Sequence, residues 1–339
     1  MQSRSSYAPT GVHRAESLPC AIPASRTHGA WLLSKAGDFW FVCAGGGLLL
    51  IVLALALQQL GDRELSAADI VLGELHLGAT YDAVLRNRLW KRMQLEVIVI
   101  PLCILAATYA AMYGGYEIWV TTAALYFAAW HRGRQNLGIA RYYQVRSGGA
   151  LSASHSRLFQ SAIYSPMLAG VAYFTSTSPT HEGEEYVGLW LDDEILWTLG
   201  GLAIASVAAY LAYSLRHRDR VHAAERWLVA ANAIAFGSAY VLGAWTVGFI
   251  LVLALHHEIQ YLYFTYAVAK KPVAASSRGD FKFLASFAVW PLIGLATWAI
   301  CKFSGLEILV PFLVGGLLCH YWLDSRIWTA RARRLAASS

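Results

Sequence analysis

Ten apolar runs, each long enough for a helix to cross a hydrocarbon layer about 30 Å thick, recur along the chain with short, mostly basic segments between them. They lie near residues 38–60, 66–85, 93–113, 116–135, 158–178, 195–215, 227–244, 246–268, 283–303 and 307–325. The pattern predicts an all-α protein, a polytopic transmembrane helix bundle of about ten spans. Composition agrees: 57% of the residues are hydrophobic and 14% charged, against roughly 45–50% and about 25% in soluble domains. Thirteen tryptophans and 18 tyrosines supply the amphipathic rings favoured at a lipid–water boundary. An ordinary soluble enzyme is excluded. Ten spans leave no room in 339 residues for a large soluble catalytic domain, so any chemistry must sit among the helices. The second run is the least apolar, with Asp69, Glu74, His76 and Asp82 inside it, and a re-entrant or amphipathic segment stays open there.

Lysine and arginine distribution tests the orientation. With the amino terminus inside, 25 of the 27 basic residues fall on the inner side, and only Arg63 and Lys302 fall outside. The acidic stretch carrying Glu182, Glu184, Glu185, Asp192, Asp193 and Glu194 falls on the outer side. Deleting the second span would invert every later loop, so the count also supports that span. Both termini are expected in the cytoplasm: a mobile tail over 1–36, the bundle over 37–328 and a basic tail over 329–339. No cleavable leader pattern precedes Trp31.

The net charge of +6 sits in short clusters between apolar runs and serves topology, which excludes a nucleic-acid partner. The five cysteines, Cys20, Cys43, Cys103, Cys301 and Cys319, are scattered without a C-x-x-C spacing and read as packing residues. Gly45, Gly46 and Gly47 follow no strand and suit close helix packing.

Histidine placement carries the functional information. Of eleven histidines, His13, His28, His155, His181, His217 and His222 fall in tails or loops, whereas His76, His131, His256, His257 and His320 lie within spans. An ionisable group at that depth is costly unless satisfied and marks a functional site by default. The four helices concerned are the second, fourth, eighth and tenth, all running outside to inside. The histidines differ in depth by about 7.5 Å at 1.5 Å per residue, so they can share one layer. Each has a polar residue one turn on, on the same face: Thr80 after His76, Gln135 after His131, Gln260 after His256 and Asp324 after His320. Such residues supply further ligands or hold the imidazoles in orientation.

His76, His131, His256, His257 and His320 are therefore the candidate metal ligands, and Asp324, Gln135 and Gln260 the candidate catalytic partners. His256 and His257 point about 100° apart, and His256 has the better-matched partner. A shared metal site, a proton relay and structural hydrogen bonding all stay open. Imidazole without a nearby thiolate suits non-haem iron, single or paired, with Asp324, Glu258 or Asp82 as optional ligands. Copper comes second, and haem b, which needs opposed axial histidines, third. Tyr321, Tyr261 and Trp130 adjoin candidate ligands and could line a pocket or simply pack.

The segments His131-Arg132-Gly133-Arg134-Gln135-Asn136-Leu137-Gly138, His257-Glu258-Ile259-Gln260-Tyr261 and His320-Tyr321-Trp322-Leu323-Asp324-Ser325-Arg326-Ile327-Trp328 resemble signatures of uncharacterised bacterial multi-span proteins. In size, span count and one histidine per helix, the chain is also similar in layout to the Brp/Blh membrane carotenoid dioxygenases. That resemblance implies histidine-held iron in a bacterial inner membrane and assigns no residue role or substrate.

The expected function is a membrane metal-dependent oxidoreductase, of oxygenase, hydroxylase or desaturase type, acting on a lipophilic substrate with an electron-donor protein as partner. A proton-coupled transporter with titrating histidines is the alternative, though no inverted repeat is present. A non-catalytic subunit of a membrane complex is the third.

Overall fold

The computed structural model describes residues 31–43, 62–86, 88–147, 152–177, 180–181, 184–243, 248–269, 288–289, 292–300, 303–305 and 309–338. The first apolar run beyond Cys43, its glycine triple, residues 1–30 and the basic segment 270–282 lie outside them.

The chain is all-α. A short helix α1 (Lys35–Phe41) precedes α2 (Asp62–Arg86), α3 (Leu95–Tyr113), α4 (Glu117–Ser147), α5 (Ala153–Thr177), α6 (Asp193–Arg216), α7 (Ala223–Gly243) and α8 (Gly248–Ala269). Helix α9 covers 292–300, and α10 (Val310–Ser338) ends the described chain. The one departure among the described residues is a two-residue antiparallel pair, Thr180–His181 with Glu184–Glu185, between α5 and α6. Helix α2 is uninterrupted over 25 residues, with no re-entrant break. Helices α3 and α6 are long and apolar enough to cross a membrane, and only 6% and 11% of their apolar stretches are buried inside the protein. Trp197 and Ile204 on α6 are 79% and 74% exposed.

Proline shapes the start of α3. Leu95–Val99 forms a π-helical turn in which Ile100 N–H bonds back to the Leu95 carbonyl. The next residue, Pro101, has no N–H to offer Glu96. The Glu96 carbonyl instead accepts the Trp322 Nε1–H of α10 at 2.8 Å, and Cys319 Sγ–H reaches the Pro101 carbonyl at 3.2 Å. A helix defect thereby becomes the seam between α3 and α10. Gly114 caps α3 and Gly115, at φ +79°, turns the chain directly into α4, a reversal that makes the two helices antiparallel neighbours.

Two boundaries differ from the sequence expectation. Helix α4 runs twelve residues past 135, so Arg141 and Arg146 sit on a helix instead of a loop. The extension is held by polar groups that bury themselves in pairs. Gln260 Nε2–H donates to Asn136 Oδ1 at 3.0 Å, Asn136 Nδ2–H to Asn232 Oδ1 at 2.8 Å, and Asn232 Nδ2–H to the Ile163 carbonyl at 3.0 Å. This ladder ties α8, α4, α7 and α5. Helix α10 continues through Ser338, so the tail boundary placed at 328/329 falls within one helix.

The loop histidines also differ. His155 and His222 were expected to be solvated, yet His155 is buried with Nε2 2.7 Å from Glu225 Oε1, which also accepts the Tyr210 hydroxyl at 2.6 Å. His222 is half-buried against Trp31 and Tyr143, with ring centroids 4.6 and 5.9 Å away. Burial first, and then the Arg226 guanidinium, push its imidazole below the ordinary value of 6.5.

Asp38, at the start of the first run, is fully buried. Its carboxylate accepts Leu32 N–H at 2.6 Å and Tyr143 O–H at 2.8 Å on Oδ2, and Tyr263 O–H at 3.1 Å and Leu33 N–H at 3.3 Å on Oδ1. It fastens the entry of the chain to α4 and α8.

Candidate metal centre

Helices α2, α4, α8 and α10 each bring a buried imidazole to one place. Ring centroids of His76 and His320 lie 4.4 Å apart, those of His131 and His320 4.8 Å, and those of His76 and His131 6.0 Å. His257 closes the group from α8, at 4.9 Å from His76 and 5.0 Å from His131. The shared layer expected from depth is therefore observed.

Asp324 joins it from α10. One ligand atom from each of His76, His131, His320 and Asp324 lies within 4.8 Å of all the others. Bonds of about 2.1 Å around one ion place ligand atoms no more than about 4.2 Å apart, so small inward movements would complete a coordination sphere. His76 Nε2, His131 Nε2, His320 Nε2 and His257 Nδ1 are buried with no hydrogen-bond partner among the described residues. Buried polar atoms are normally paired. Four imidazole nitrogens left facing one another have the chemistry of a ligand set.

Thr80 organises the set. Its hydroxyl donates to Asp324 Oδ1 at 2.9 Å, and the Tyr261 hydroxyl donates to the same oxygen at 2.7 Å. With its one proton committed, Thr80 Oγ1 accepts from His320 Nδ1, 2.8 Å away. The tautomer follows from this network: Nδ1 carries the proton and the Nε2 lone pair faces the cluster. Asp324 Oδ2 is turned to the same space, 3.7 Å from His131 Nε2 and 3.9 Å from His320 Nε2. Thr80 thus serves His320, across the helix interface, and not His76 on its own helix. Asp324 thus sits within the group that could hold an ion; the sequence had left it open as an optional ligand or an orienting partner.

The adjacent histidines resolve against the sequence preference. His256 Nε2–H donates to the Cys43 carbonyl at 3.1 Å, on the side of α8 away from the cluster, and it is His257 that enters. The 100° step of the helix permits only one of them. The glutamines lie in the seam between helices. Gln135 Nε2–H donates to the His257 carbonyl at 3.1 Å and to Gln260 Oε1 at 3.0 Å, and Gln260 Nε2–H reaches the Val42 carbonyl at 2.6 Å. Among the described residues neither amide bonds an imidazole. Asp82 and Glu258 are buried but outside the four-residue group. Tyr321 stacks on His131 at 4.7 Å, Tyr261 meets His76 edge-on at 4.3 Å, and Trp130 lies on the outer surface beside Arg134.

A cavity of about 650 Å³ opens beside the cluster, with His76, His131, His257 and His320 in its wall. Clefts of this size hold small organic ligands. Searches with the chain against protein families, curated proteins and solved structures find no match.

Proposed function

We propose that the chain is an integral membrane metal-dependent oxidoreductase, of oxygenase, hydroxylase or desaturase type, acting on a lipophilic substrate beside the histidine–aspartate cluster. The observation that carries the reading is the set of four buried, partnerless imidazole nitrogens next to Asp324 and a cavity of substrate size. His76, His131, His320 and Asp324 would hold the ion, with His257 beside it. Three nitrogens and one oxygen suit non-haem iron first and copper second. Haem b, by contrast, needs space for a macrocycle between opposed histidines, and these rings sit within 4.4–6.0 Å of one another. When bound, the metal supplies Lewis acidity or redox chemistry. Thr80 holds His320 with its Nε2 lone pair inward, Thr80 and Tyr261 hold Asp324, and the surrounding apolar helices exclude water.

The setting in this proposal is a ten-span bundle in a bacterial inner membrane. It is supported by α3 and α6, whose apolar faces are almost wholly unburied, and by the 25-to-2 split of basic residues. The layout resembles that of the Brp/Blh dioxygenases and adds support without naming a substrate. An electron-donor protein is the partner such chemistry calls for.

Metal analysis of protein purified in detergent without chelator, with an optical spectrum for haem, tests the proposal. We expect bound iron or copper and no haem absorption. Protein carrying neither metal nor haem would refute it and favour the proton-coupled transporter.

A further inference from the structure

The cavity beside the cluster has two chemically different ends. Ile293 on α9 and Phe312 and Leu317 on α10 line it and are also 38–45% exposed on the outer surface, so they form its mouth. The mouth is apolar, and the outer faces of the same helices continue it with Leu292, Ile300 and Val310, all exposed. The deep end is formed by buried His131, His257, His320 and Glu258. Arg132, next to His131, and Glu74, two residues before His76, also line the cavity. Between the ends, Gly316 lines the space with nothing within 4 Å of where a side chain would begin, so the cavity is open at that point. On the other side of the mouth α9 is pressed onto α2. A side chain at Gly294 would begin 2.5 Å from the Glu74 carbonyl, which among the described residues leaves the α9–α10 side as the way in.

We propose that this cavity takes an uncharged, hydroxyl-bearing lipophile from the bilayer core, with its chain between α9 and α10 and its hydroxyl at Arg132 and Glu258 beside the histidine cluster. This deepens the proposed function and rests on its membrane setting. The end-to-end polarity fixes the orientation, because a buried hydroxyl needs a partner and a chain does not. The signs of the lining charges select the head group. A carboxylate would meet Glu258 and Glu74, and an ammonium would meet Arg132. A hydroxyl donates to a carboxylate and accepts from a guanidinium, so both charges are used. A pure hydrocarbon would lay apolar surface against these charged side chains and strip them of water. The atoms presented to the cluster are then those next to the hydroxyl, not those in mid-chain.

The test uses full-length protein in lipid nanodiscs and hexadecan-1-ol carrying a photoreactive diazirine in the distal half of its chain. After irradiation, labelled positions are mapped by mass spectrometry, with competition by unlabelled hexadecan-1-ol, hexadecanoate, hexadecylamine and hexadecane. Labelling should fall on 293–298 and 312–317, and the alcohol should compete about tenfold or more better than the other three. Gly316→Phe, which fills open space, should lower labelling about tenfold while leaving metal content at the wild-type level. Labelling spread over α3 and α6, equal competition by hexadecane or hexadecanoate, or undiminished labelling in a metal-replete Gly316→Phe would overturn the proposal. If that variant does not fold, the competition series on the wild type decides alone. Specific labelling of a protein that carries no metal would refute the metal-dependent function and leave the lipophile site standing. Bound metal with non-specific labelling would do the reverse.

Discussion

Thr80→Val removes one hydroxyl and keeps the side-chain shape, and its consequences can be worked from three distances. The His320 Nδ1–H loses its acceptor at 2.8 Å, and Asp324 Oδ1 loses one of its two hydroxyl donors, the one at 2.9 Å, keeping Tyr261 at 2.7 Å. Stranding a buried donor costs about 1–3 kcal/mol. Removing a group that orients a metal ligand weakens affinity about 10- to 100-fold, which is about 1.4–2.7 kcal/mol. The two estimates agree because they describe one event: His320 is no longer held in the tautomer that turns Nε2 inward. Thr80→Ser keeps the hydroxyl and should recover most of the loss. The assay is competition with a chelator of known affinity, together with the visible spectrum of the cobalt-substituted protein, which reports ligand geometry. Thr80→Val should shift both readings and Thr80→Ser neither. Wild-type affinity in Thr80→Val, or a serine variant as weak as the valine one, would refute the tautomer argument.

Three further outcomes follow from the geometry. His320→Ala and Asp324→Ala should each remove most bound metal, while His256→Ala, whose ring serves the Cys43 carbonyl, should keep wild-type metal content; a metal-free His256→Ala would reverse the assignment of the two adjacent histidines. Asp38→Asn puts an amide N–H against some of the four donors that now converge on the carboxylate, and should cost about 2–4 kcal/mol of stability, seen as a lower thermal midpoint in detergent at unchanged metal content. His222 is depressed in the folded protein by burial and Arg226, with Asp38 and Glu225 opposing and Arg146 adding a smaller push down. The folded state therefore binds its proton less readily than the unfolded one, and the packing of the α6–α7 connection should loosen as pH falls below about 6.5, which hydrogen exchange over 217–226 would register and His222→Phe would abolish.

How much of this was legible in the sequence differs from residue to residue. Helix positions among the described residues were, because runs of apolar residues are local signals. The layer of histidines was also legible, since helix rise converts sequence position into depth. Which side of a helix faces inward was not: His256 and His257 differ by one residue, and the i+4 rule favoured the one that turned away. The i+4 rule failed for a physical reason. It describes neighbours on one helix, whereas Thr80 meets His320 from 240 residues away and Gln135 meets Gln260 from 125 residues away. In an apolar interior the partners of polar groups come from facing helices, and no local spacing encodes them. Asp38 and His155 were hidden for the same cause: the partners of each come from distant helices.

The contrast between these buried polar groups is what distinguishes the cluster from the rest of the bundle. Asp38, Asn136, Asn232, Gln260 and the His155–Glu225 pair all have partners at 2.6–3.3 Å, so the fold satisfies many of the polar side chains that it buries, although scattered atoms such as both amide atoms of Gln144 and Glu225 Oε2 are also left without one. At the cluster it satisfies the outward atoms, His320 Nδ1 and Asp324 Oδ1, and leaves the inward imidazole nitrogens without partners. A structural hydrogen-bond network would pair those nitrogens with one another, and a proton relay would need them linked donor to acceptor in a chain. Each unmatched nitrogen costs about 1–3 kcal/mol, and a cation held by His76, His131, His320 and Asp324 would offset that cost for three of them. Binding there would turn a costly point in the fold into one that the ion stabilises.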